Sequence, residues 1–203
     1  MVRAFIAVEL DSNLRTAISS LQAQVKDELT KELRKSAPDA RLQWVKPESI
    51  HLTLKFLGDI RAEQISDIQG ALTMSLRTES CFLLQIAGMG VFPDLRAPRV
   101  LWVGLEPTTP SSPTLRLAKA VETAMTTLEF PPESKPFTAH LTIARIKERG
   151  REIGRAMSDI GLLAKGHPLG TLSVRAVSLM KSDLQPSGAR YTRLCEITLD
   201  PLG

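Results

Sequence analysis

His51-Leu-Thr-Leu54 and His140-Leu-Thr-Ile143 are two tetrapeptides of one pattern, and they decide the fold of this chain. They contain two of the three histidines among its 203 residues. Each motif lies in a run of bulky apolar residues alternating with polar ones, which predicts a β-strand. Because successive side chains of a strand point to opposite faces, the histidine and threonine of each motif share one face. The apolar residues, including Leu52 and Leu141, then face a hydrophobic layer behind; Phe56 is expected in that layer too.

The elements around the two motifs follow the same order, which predicts a duplicated fold. Strands are expected at 4–10, 50–57, 81–91, 100–105, 138–146, 172–180 and 191–199, and helices at 14–33, 65–76, 118–128 and 153–163. Each half thus has the order strand, helix, strand, helix, strand. This order indicates an α+β protein of two lobes related by a pseudo-two-fold axis. Each lobe is expected to have an antiparallel sheet and two helices, with an active-site cleft between the lobes.

The same pattern sets the predicted domain organisation. We expect one bilobed domain over residues 1–203, with sequence repeats at approximately 1–92 and 98–181 and a final strand at 190–199. No stretch between the repeats is long enough to separate them as independent domains.

Composition excludes several classes of protein. Hydrophobic residues make up 43% and charged residues 24%, which are proportions of a globular chain, and the net charge of +4 is compatible with a phosphate-bearing partner. Two cysteines cannot form a disulfide framework, and no metal-binding spacing surrounds them. The longest apolar run is too short to span a bilayer, and the N-terminus resembles a strand rather than a signal peptide. We therefore expect a cytoplasmic protein without membrane association.

The paired motifs suit general acid–base chemistry at phosphorus. If the lobes face each other, two imidazoles and two hydroxyls converge on one cleft. An imidazole titrates near neutral pH, so one ring can accept a proton while the other donates one. The hydroxyls of Thr53 and Thr142 can hydrogen-bond the oxygens on which charge develops. We expect no metal and no cofactor, because the chain shows no carboxylate cluster to hold one.

The motifs and their flanks resemble the 2H phosphoesterase superfamily. Within it, the chain is similar to the RNA 2′,3′-cyclic phosphodiesterase family, also called the 2′-5′ RNA ligase family. The resemblance spans nearly the whole chain. Its matching segments are Arg3-Ala-Phe-Ile-Ala-Val8, His51-Leu-Thr-Leu-Lys-Phe-Leu-Gly58, Gly90-Val-Phe-Pro93, Pro98-Arg-Val-Leu-Trp102, His140-Leu-Thr-Ile-Ala-Arg145, Ser182-Asp-Leu184, Gly188 and Tyr191.

The resemblance implies a reaction and roles for the residues that match the motifs. His51 and His140 would be catalytic, and Thr53, Thr142 and Arg145 would bind phosphate. The implied reaction opens a ribose 2′,3′-cyclic phosphate with water and leaves a 2′-phosphomonoester. We assign His51 as proton donor to the 3′-oxygen and His140 as proton acceptor from water, although the sequence alone does not choose between them. Ligation through a 2′-5′ linkage would run the same chemistry in reverse.

Two cations follow the motifs, and strand alternation places their side chains on opposite faces of their strands. In a regular strand Arg145 points away from His140, so it reaches phosphate only if the strand twists, bulges or ends there. Lys55 has the same parity as His51 and Thr53, so we expect it either to draw the RNA backbone into the cleft or to lie solvated at the sheet edge.

Other side chains are weaker candidates. The aromatic side chains considered for stacking on a base are Phe5, Trp44, Trp102, Phe137 and Tyr191. We expect most of them in the core, and His167 at the surface.

We therefore expect a monomeric, metal-independent hydrolase acting on RNA ends or nucleotides that carry a 2′,3′-cyclic phosphate. One alternative is a nucleotide-binding or regulatory module that uses the same cleft without turnover. Another is a phosphodiesterase for a different cyclic phosphate or for 2′-5′ oligoadenylate. Two intact histidine–threonine pairs favour catalysis, because binding alone does not require two proton-transfer groups.

Overall fold

A computed structural model describes residues 1–105, 112–166, 169–185 and 188–201. The strands are β1 (Val2–Glu9), β2 (Arg41–Trp44), β3 (His51–Ile60), β4 (Phe82–Phe92), β5 (Val100–Leu105), β6 (His140–Glu148), β7 (Gly170–Val174), β8 (Ala176–Gln185) and β9 (Gly188–Thr198). The helices are α1 (Ser12–Ser36), α2 (Gln64–Leu76), α3 (Pro113–Thr126) and α4 (Gly150–Asp159). Single turns of 3-10 helix occur at Pro47–Ser49 and Leu162–Ala164. No helix in these ranges is long and apolar enough to cross a membrane.

Side-chain caps fix where the two longest helices begin. The Asp11 carboxylate accepts a hydrogen bond from the backbone N–H of Leu14 at 2.8 Å, which starts α1. The Ser112 hydroxyl accepts from the N–H of Leu115 at 3.3 Å, with Pro113 as the first residue of α3. Along α1, apolar residues three or four apart are buried against the sheet.

All strands form one curled antiparallel sheet in the order β7-β4-β5-β6-β3-β1-β8-β9, and β2 also pairs with β6. The order is symmetrical about its centre: β6 corresponds to β3, β5 to β1, β4 to β8 and β7 to β9. The helices follow the same rule, since α1 packs with α4 and α2 packs with α3. The α+β fold with pseudo-two-fold-related lobes is therefore confirmed.

The two lobes exchange elements, which the sequence pattern does not reveal. Strand β4, from the first part of the chain, lies between β7 and β5, while β8 lies between β1 and β9. Each half of the sheet therefore contains strands from both parts of the chain. The assignment of sequence repeats to 1–92 and 98–181 stays a prediction.

Two strand predictions need correction. The single strand expected at 172–180 is two strands, because the strand is interrupted at the exposed Arg175. The first part, β7, pairs with β4, and the second, β8, pairs with β1 and β9. The segment Arg41–Trp44, which is not among the expected strands, forms the short strand β2.

The helices cover one face of the sheet and leave the other open. The main hydrophobic core joins the buried faces of all four helices to inward-facing residues of the strands, including Leu52 and Leu141. The open face contains a smaller buried cluster of Phe5, Ala7 and Met180, against which Tyr191 packs.

Candidate active site

The two histidine motifs meet at the centre of the sheet. Strands β3 and β6 pair through Leu52 and Leu141, the residues between histidine and threonine in each motif. Because the strands are antiparallel, His51 lies towards Thr142 and Thr53 lies towards His140. All four side chains line one cavity of about 780 Å³ on the open face of the sheet. We call this cavity the central cleft.

Both motif strands carry a β-bulge at the same place. Along β1, Ile6 pairs with Lys55 and Ala7 pairs with Thr53, so Leu54 has no partner. Along β5, Leu101 pairs with Ala144 and Trp102 with Thr142, so Ile143 is the extra residue. A bulge reverses the alternation of faces beyond it. Each bulge therefore changes which later side chain enters the central cleft.

The bulge at Ile143 brings Arg145 into the cleft. A regular strand would place this guanidinium on the helix side, whereas here it lines the central cleft with His140 and Thr142. Its charge acts on both rings, because it lowers the pKa of His51 and of His140. The condition under which Arg145 was expected to reach the cleft, a bulge in the strand, is met.

The bulge at Leu54 has the opposite consequence for Lys55. The expectation that Lys55 shares a face with His51 is wrong: its side chain is 1% exposed and lies behind the strand. The Lys55 ammonium donates to both carboxylate oxygens of Glu122, at 2.8 and 2.9 Å, and to the carbonyl of Pro131 at 2.9 Å. Lys55 is therefore neither in the cleft nor solvated at a sheet edge.

The same bulge turns Phe56 to the cleft face of β3. We expected this ring in the core, but it is 63% exposed and lines the central cleft. It occupies the position in β3 that Arg145 occupies in β6, five residues after the histidine. The pseudo-symmetric cleft thus has a cation on one side and an aromatic ring on the other.

Backbone hydrogen bonds set the orientation and tautomer of both histidines. Nδ1 of His51 lies 2.9 Å from the carbonyl oxygen of Ser49, and Nδ1 of His140 lies 2.7 Å from that of Thr138. A carbonyl oxygen only accepts, so Nδ1 carries the proton in each ring. In the neutral imidazoles Nε2 is then the basic nitrogen, and it is the atom left for chemistry.

Both imidazoles favour the neutral form. Burial lowers the pKa of His51 to about 4, and the positive charge of Arg145 acts in the same direction. The carbonyl of Ser49 and the carboxylate of Glu9 oppose this effect without cancelling it. Burial and Arg145 also lower the pKa of His140, against the carbonyl of Thr138.

Aromatic rings hold the histidines in place. Phe5 stacks on His51 with ring centroids 4.6 Å apart, and Tyr191 meets the same imidazole edge-on at 5.1 Å. Phe92 meets His140 edge-on at 5.0 Å, and Trp102 is tilted against it at 6.2 Å. These contacts restrict the orientation of each imidazole, and the rings of Phe5, Phe92 and Tyr191 line the cleft with it.

The five aromatic residues considered for stacking have different positions. Phe5, Trp44 and Tyr191 line the central cleft. Phe137 packs against the core. Trp102 packs against Gly90, Phe92 and His140. His167 lies outside the described residues. Sequence reasoning missed Phe56 and Phe92 as residues of the cleft. Strand alternation placed Phe56 in the core, and the matching segment Gly90-Val-Phe-Pro93 carried no expected role for Phe92.

The charge of the central cleft is positive. The cations that line it are Arg3, Lys46, Arg145 and Lys147, and no carboxylate belongs to the described lining. No group of three or more potential metal-ligating side chains occurs in the described ranges. The arrangement can bind an anion between two neutral imidazoles, with hydroxyl and guanidinium donors beside it.

Comparison with known proteins places this geometry in one family. A family model described as LigT like phosphoesterase matches residues 8–102, which include His51, and residues 105–191, which include His140. The RNA 2′,3′-cyclic phosphodiesterase of Methanothermobacter thermautotrophicus is 36% identical over 193 residues, which cover 94% of this chain and 95% of that protein. The protein of the same name from Archaeoglobus fulgidus is 30% identical over 95% of this chain and 98% of its own.

A solved structure shows the same fold. The crystal structure of a protein from Thermus thermophilus matches with a TM-score of 0.74 and 27% identity, and the match covers 98% of both chains. Both sequence and fold therefore agree over almost the whole chain.

Proposed function

Because this chain belongs to the LigT-like phosphoesterase family, we propose that it hydrolyses RNA or nucleoside 2′,3′-cyclic phosphates to 2′-phosphomonoesters. Two relatives that match nearly the whole chain are named RNA 2′,3′-cyclic phosphodiesterases. One structural observation carries the proposal: two imidazoles with backbone-anchored Nδ1 atoms line one cationic cleft. Such a pair can move a proton on each side of a phosphorus atom.

In the chemical step one histidine accepts a proton and the other donates one. Nε2 of His140 takes a proton from water as the water oxygen forms a bond to phosphorus. Nε2 of His51, protonated at the start, gives its proton to the 3′-oxygen as the phosphorus–O3′ bond breaks. The products are a 3′-hydroxyl and a 2′-phosphomonoester. At the end of the step His140 is protonated and His51 is neutral.

Three side chains stabilise the negative charge that develops on phosphorus. The hydroxyls of Thr53 and Thr142 donate hydrogen bonds to the non-bridging oxygens, and Arg145 adds a charge-assisted contact. All three line the same cleft as the histidines. Because the threonines alternate with the histidines across the β3–β6 pair, each proton-transfer group has a donor beside it.

The bound anion also prepares the acid. Both histidines favour the neutral form in the free protein, as the base requires. A negative phosphate between them raises the affinity of both rings for protons. One proton taken up with the substrate then supplies the acid, and the second ring remains neutral as the base.

The same groups support 2′-5′ ligation. A 5′-hydroxyl takes the place of water, loses its proton to His140 and forms a bond to phosphorus. The 3′-oxygen leaves with the proton of His51, and the product carries a 2′-5′ phosphodiester. We propose this as the reverse of cleavage of such a linkage by the 3′-hydroxyl.

A direct test incubates the protein with each of the four nucleoside 2′,3′-cyclic monophosphates in the presence of EDTA. Phosphorus NMR identifies the product isomer. We expect 2′-monophosphates, and we expect His51→Ala and His140→Ala each to lower turnover by about 10²–10⁴-fold. Near-normal turnover in either variant removes that residue from the mechanism.

Other outcomes separate the alternatives. A 3′-monophosphate product would show that the 2′-oxygen leaves, contrary to the proposal. Saturable binding without turnover would indicate a nucleotide-binding module. Activity lost with EDTA and restored by a divalent cation would overturn the metal-independent mechanism.

A further inference from the structure

The cations of the central cleft are concentrated on one side. Arg145 and Lys147 lie on β6, and Lys46 follows β2 on the adjoining segment. The opposite side has Arg3 as its cation and exposes Phe56 to solvent. A polyanionic ligand that enters the cleft is therefore drawn towards the β2–β6 side.

The cations on β6 match the spacing of a nucleotide chain. Arg145 and Lys147 are two residues apart and both line the cleft, so they stand about 6.6 Å apart along the strand. This is close to the separation between successive phosphates of an extended nucleic-acid strand. Arg145 faces the histidines, and Lys147 lies one step further out.

Within the described part of the chain, no ion pair compensates Lys46 or Lys147. The nearest carboxylate along the strand, Glu148, is paired with Arg41 at 3.0 Å. Beyond it, Asp39 is paired with Arg149 at 2.7 Å. Because both of these carboxylates are paired with arginines, the charge of Lys147 beside the cleft is not offset by them.

We propose that Lys147, one step along β6 from Arg145, forms a second phosphate site. It binds the 5′-phosphate of the nucleotide whose cyclic phosphate lies between His51 and His140. That 5′-phosphate is the link to the rest of an RNA strand, so the site favours RNA ends over free nucleosides with a cyclic phosphate. This inference rests on the proposed function, because it takes the orientation of the substrate from it.

The test compares ligands that differ only in the 5′-phosphate. Calorimetry measures the affinity for adenosine 2′-monophosphate and for adenosine 2′,5′-bisphosphate. We expect the second phosphate to tighten binding about tenfold, as a charge-assisted contact does. Lys147→Gln should reduce this factor to about threefold, and added KCl should reduce it in the wild type.

Lys119→Gln is the matched control, because Lys119 is an exposed lysine of α3 outside the cleft lining and its substitution removes the same charge. It should keep the tenfold factor. The proposal is overturned if the bisphosphate binds the wild type no more tightly than the monophosphate, if Lys147→Gln keeps the tenfold factor, or if Lys119→Gln reduces the factor as much as Lys147→Gln does.

Turnover is measured separately, with adenosine 2′,3′-cyclic monophosphate with and without a 5′-phosphate. A 5′-phosphate effect on binding without turnover of either compound would reject the proposed function and leave this site standing. Turnover of both at equal efficiency, without the effect on binding, would reject the site alone.

Discussion

At the scale of single residues, burial determines the protonation of His51. The ring stacks on Phe5, and the resulting loss of hydration lowers its pKa to about 4. An unfolded chain binds a proton at this ring near pH 6.5, so the unfolded state holds more protons between those two values. Stability from this group is present above pH 6.5 and is lost as pH falls towards 4.

The low pKa of His51 predicts that the stability of the wild type depends more on pH than the stability of His51→Gln. From pH 7 to pH 5, the free energy of unfolding of the wild type should fall by about 2 kcal/mol more than that of His51→Gln. Urea unfolding at the two pH values measures both. Other titrating groups are common to the two proteins and cancel in the comparison, so equal losses would show that His51 keeps an ordinary pKa.

The pH dependence of turnover follows from the two depressed pKa values. The base must be neutral and the acid charged, so kcat/KM should follow a bell whose centre is the mean of the two macroscopic pKa values. Since burial and Arg145 lower both, the maximum should lie below pH 6.5. A profile that is flat from pH 5 to 8, or centred above 7, would count against the paired histidines.

At the scale of elements, the bulges separate what the sequence could predict from what it could not. Alternation placed His51 and Thr53 on one face, because both precede Leu54. The alternation rule gave the wrong face for Lys55 and Phe56. Leu54 is a residue type found in any buried strand, so the sequence gives no sign of the bulge there. The position of Arg145 was left open for the same reason, and only pairing with neighbouring strands decides it.

A glycine beside Trp102 offers a test of packing at His140. A Cβ added at Gly90 would overlap the indole of Trp102, which packs against His140. Gly90→Ala should destabilise the protein by about 1–3 kcal/mol, as overpacking does. It should also lower turnover, because the indole must move. Urea unfolding and tryptophan fluorescence measure the two structural effects.

Gly70→Ala is the control for that substitution. Gly70 lies in α2, and its added Cβ would meet nothing within 4 Å. It should stabilise the protein by about 0.5–1 kcal/mol, because alanine favours a helix over glycine. The expected role of Trp102 is rejected if the two variants are equally stable.

The ion pair of Lys55 and Glu122 behind β3 predicts which of two variants is less stable. The side chain of Lys55 is 1% exposed and that of Glu122 is 30% exposed. Glu122→Gln leaves an ammonium buried without a counter-charge and should cost about 3 kcal/mol. Lys55→Met leaves a carboxylate that water reaches and that still accepts from the N–H of Glu133 at 3.0 Å. It should therefore cost less; denaturant unfolding that finds the reverse order would contradict this assignment.

At the scale of the whole molecule, duplication was predictable and the sheet order was not. Two copies of one tetrapeptide, each between similar strands and helices, indicated two lobes and a shared cleft. The exchange of β4 and β8 depends on pairing between strands that are far apart in sequence, and no local pattern encodes it. Arg175 marks the break between β7 and β8, but a single arginine within a run of strand-forming residues does not predict it.

The symmetrical sheet explains why the site lies where it does. Among the strands of the described residues, equivalent strands lie side by side only at the β3–β6 junction, where Leu52 pairs with Leu141. Both histidines then serve one anion, although they are far apart in sequence. That shared anion site is our central claim.

Histidine NMR on the protein, titrated with adenosine 2′-monophosphate, tests that claim most directly. Spectra across a pH series give the pKa of each imidazole with and without the ligand, and His51→Ala and His140→Ala assign the signals. We predict that the ligand raises the pKa of both rings, because the phosphate lies between them. A ligand that shifts one of these two rings and leaves the other unchanged would contradict it.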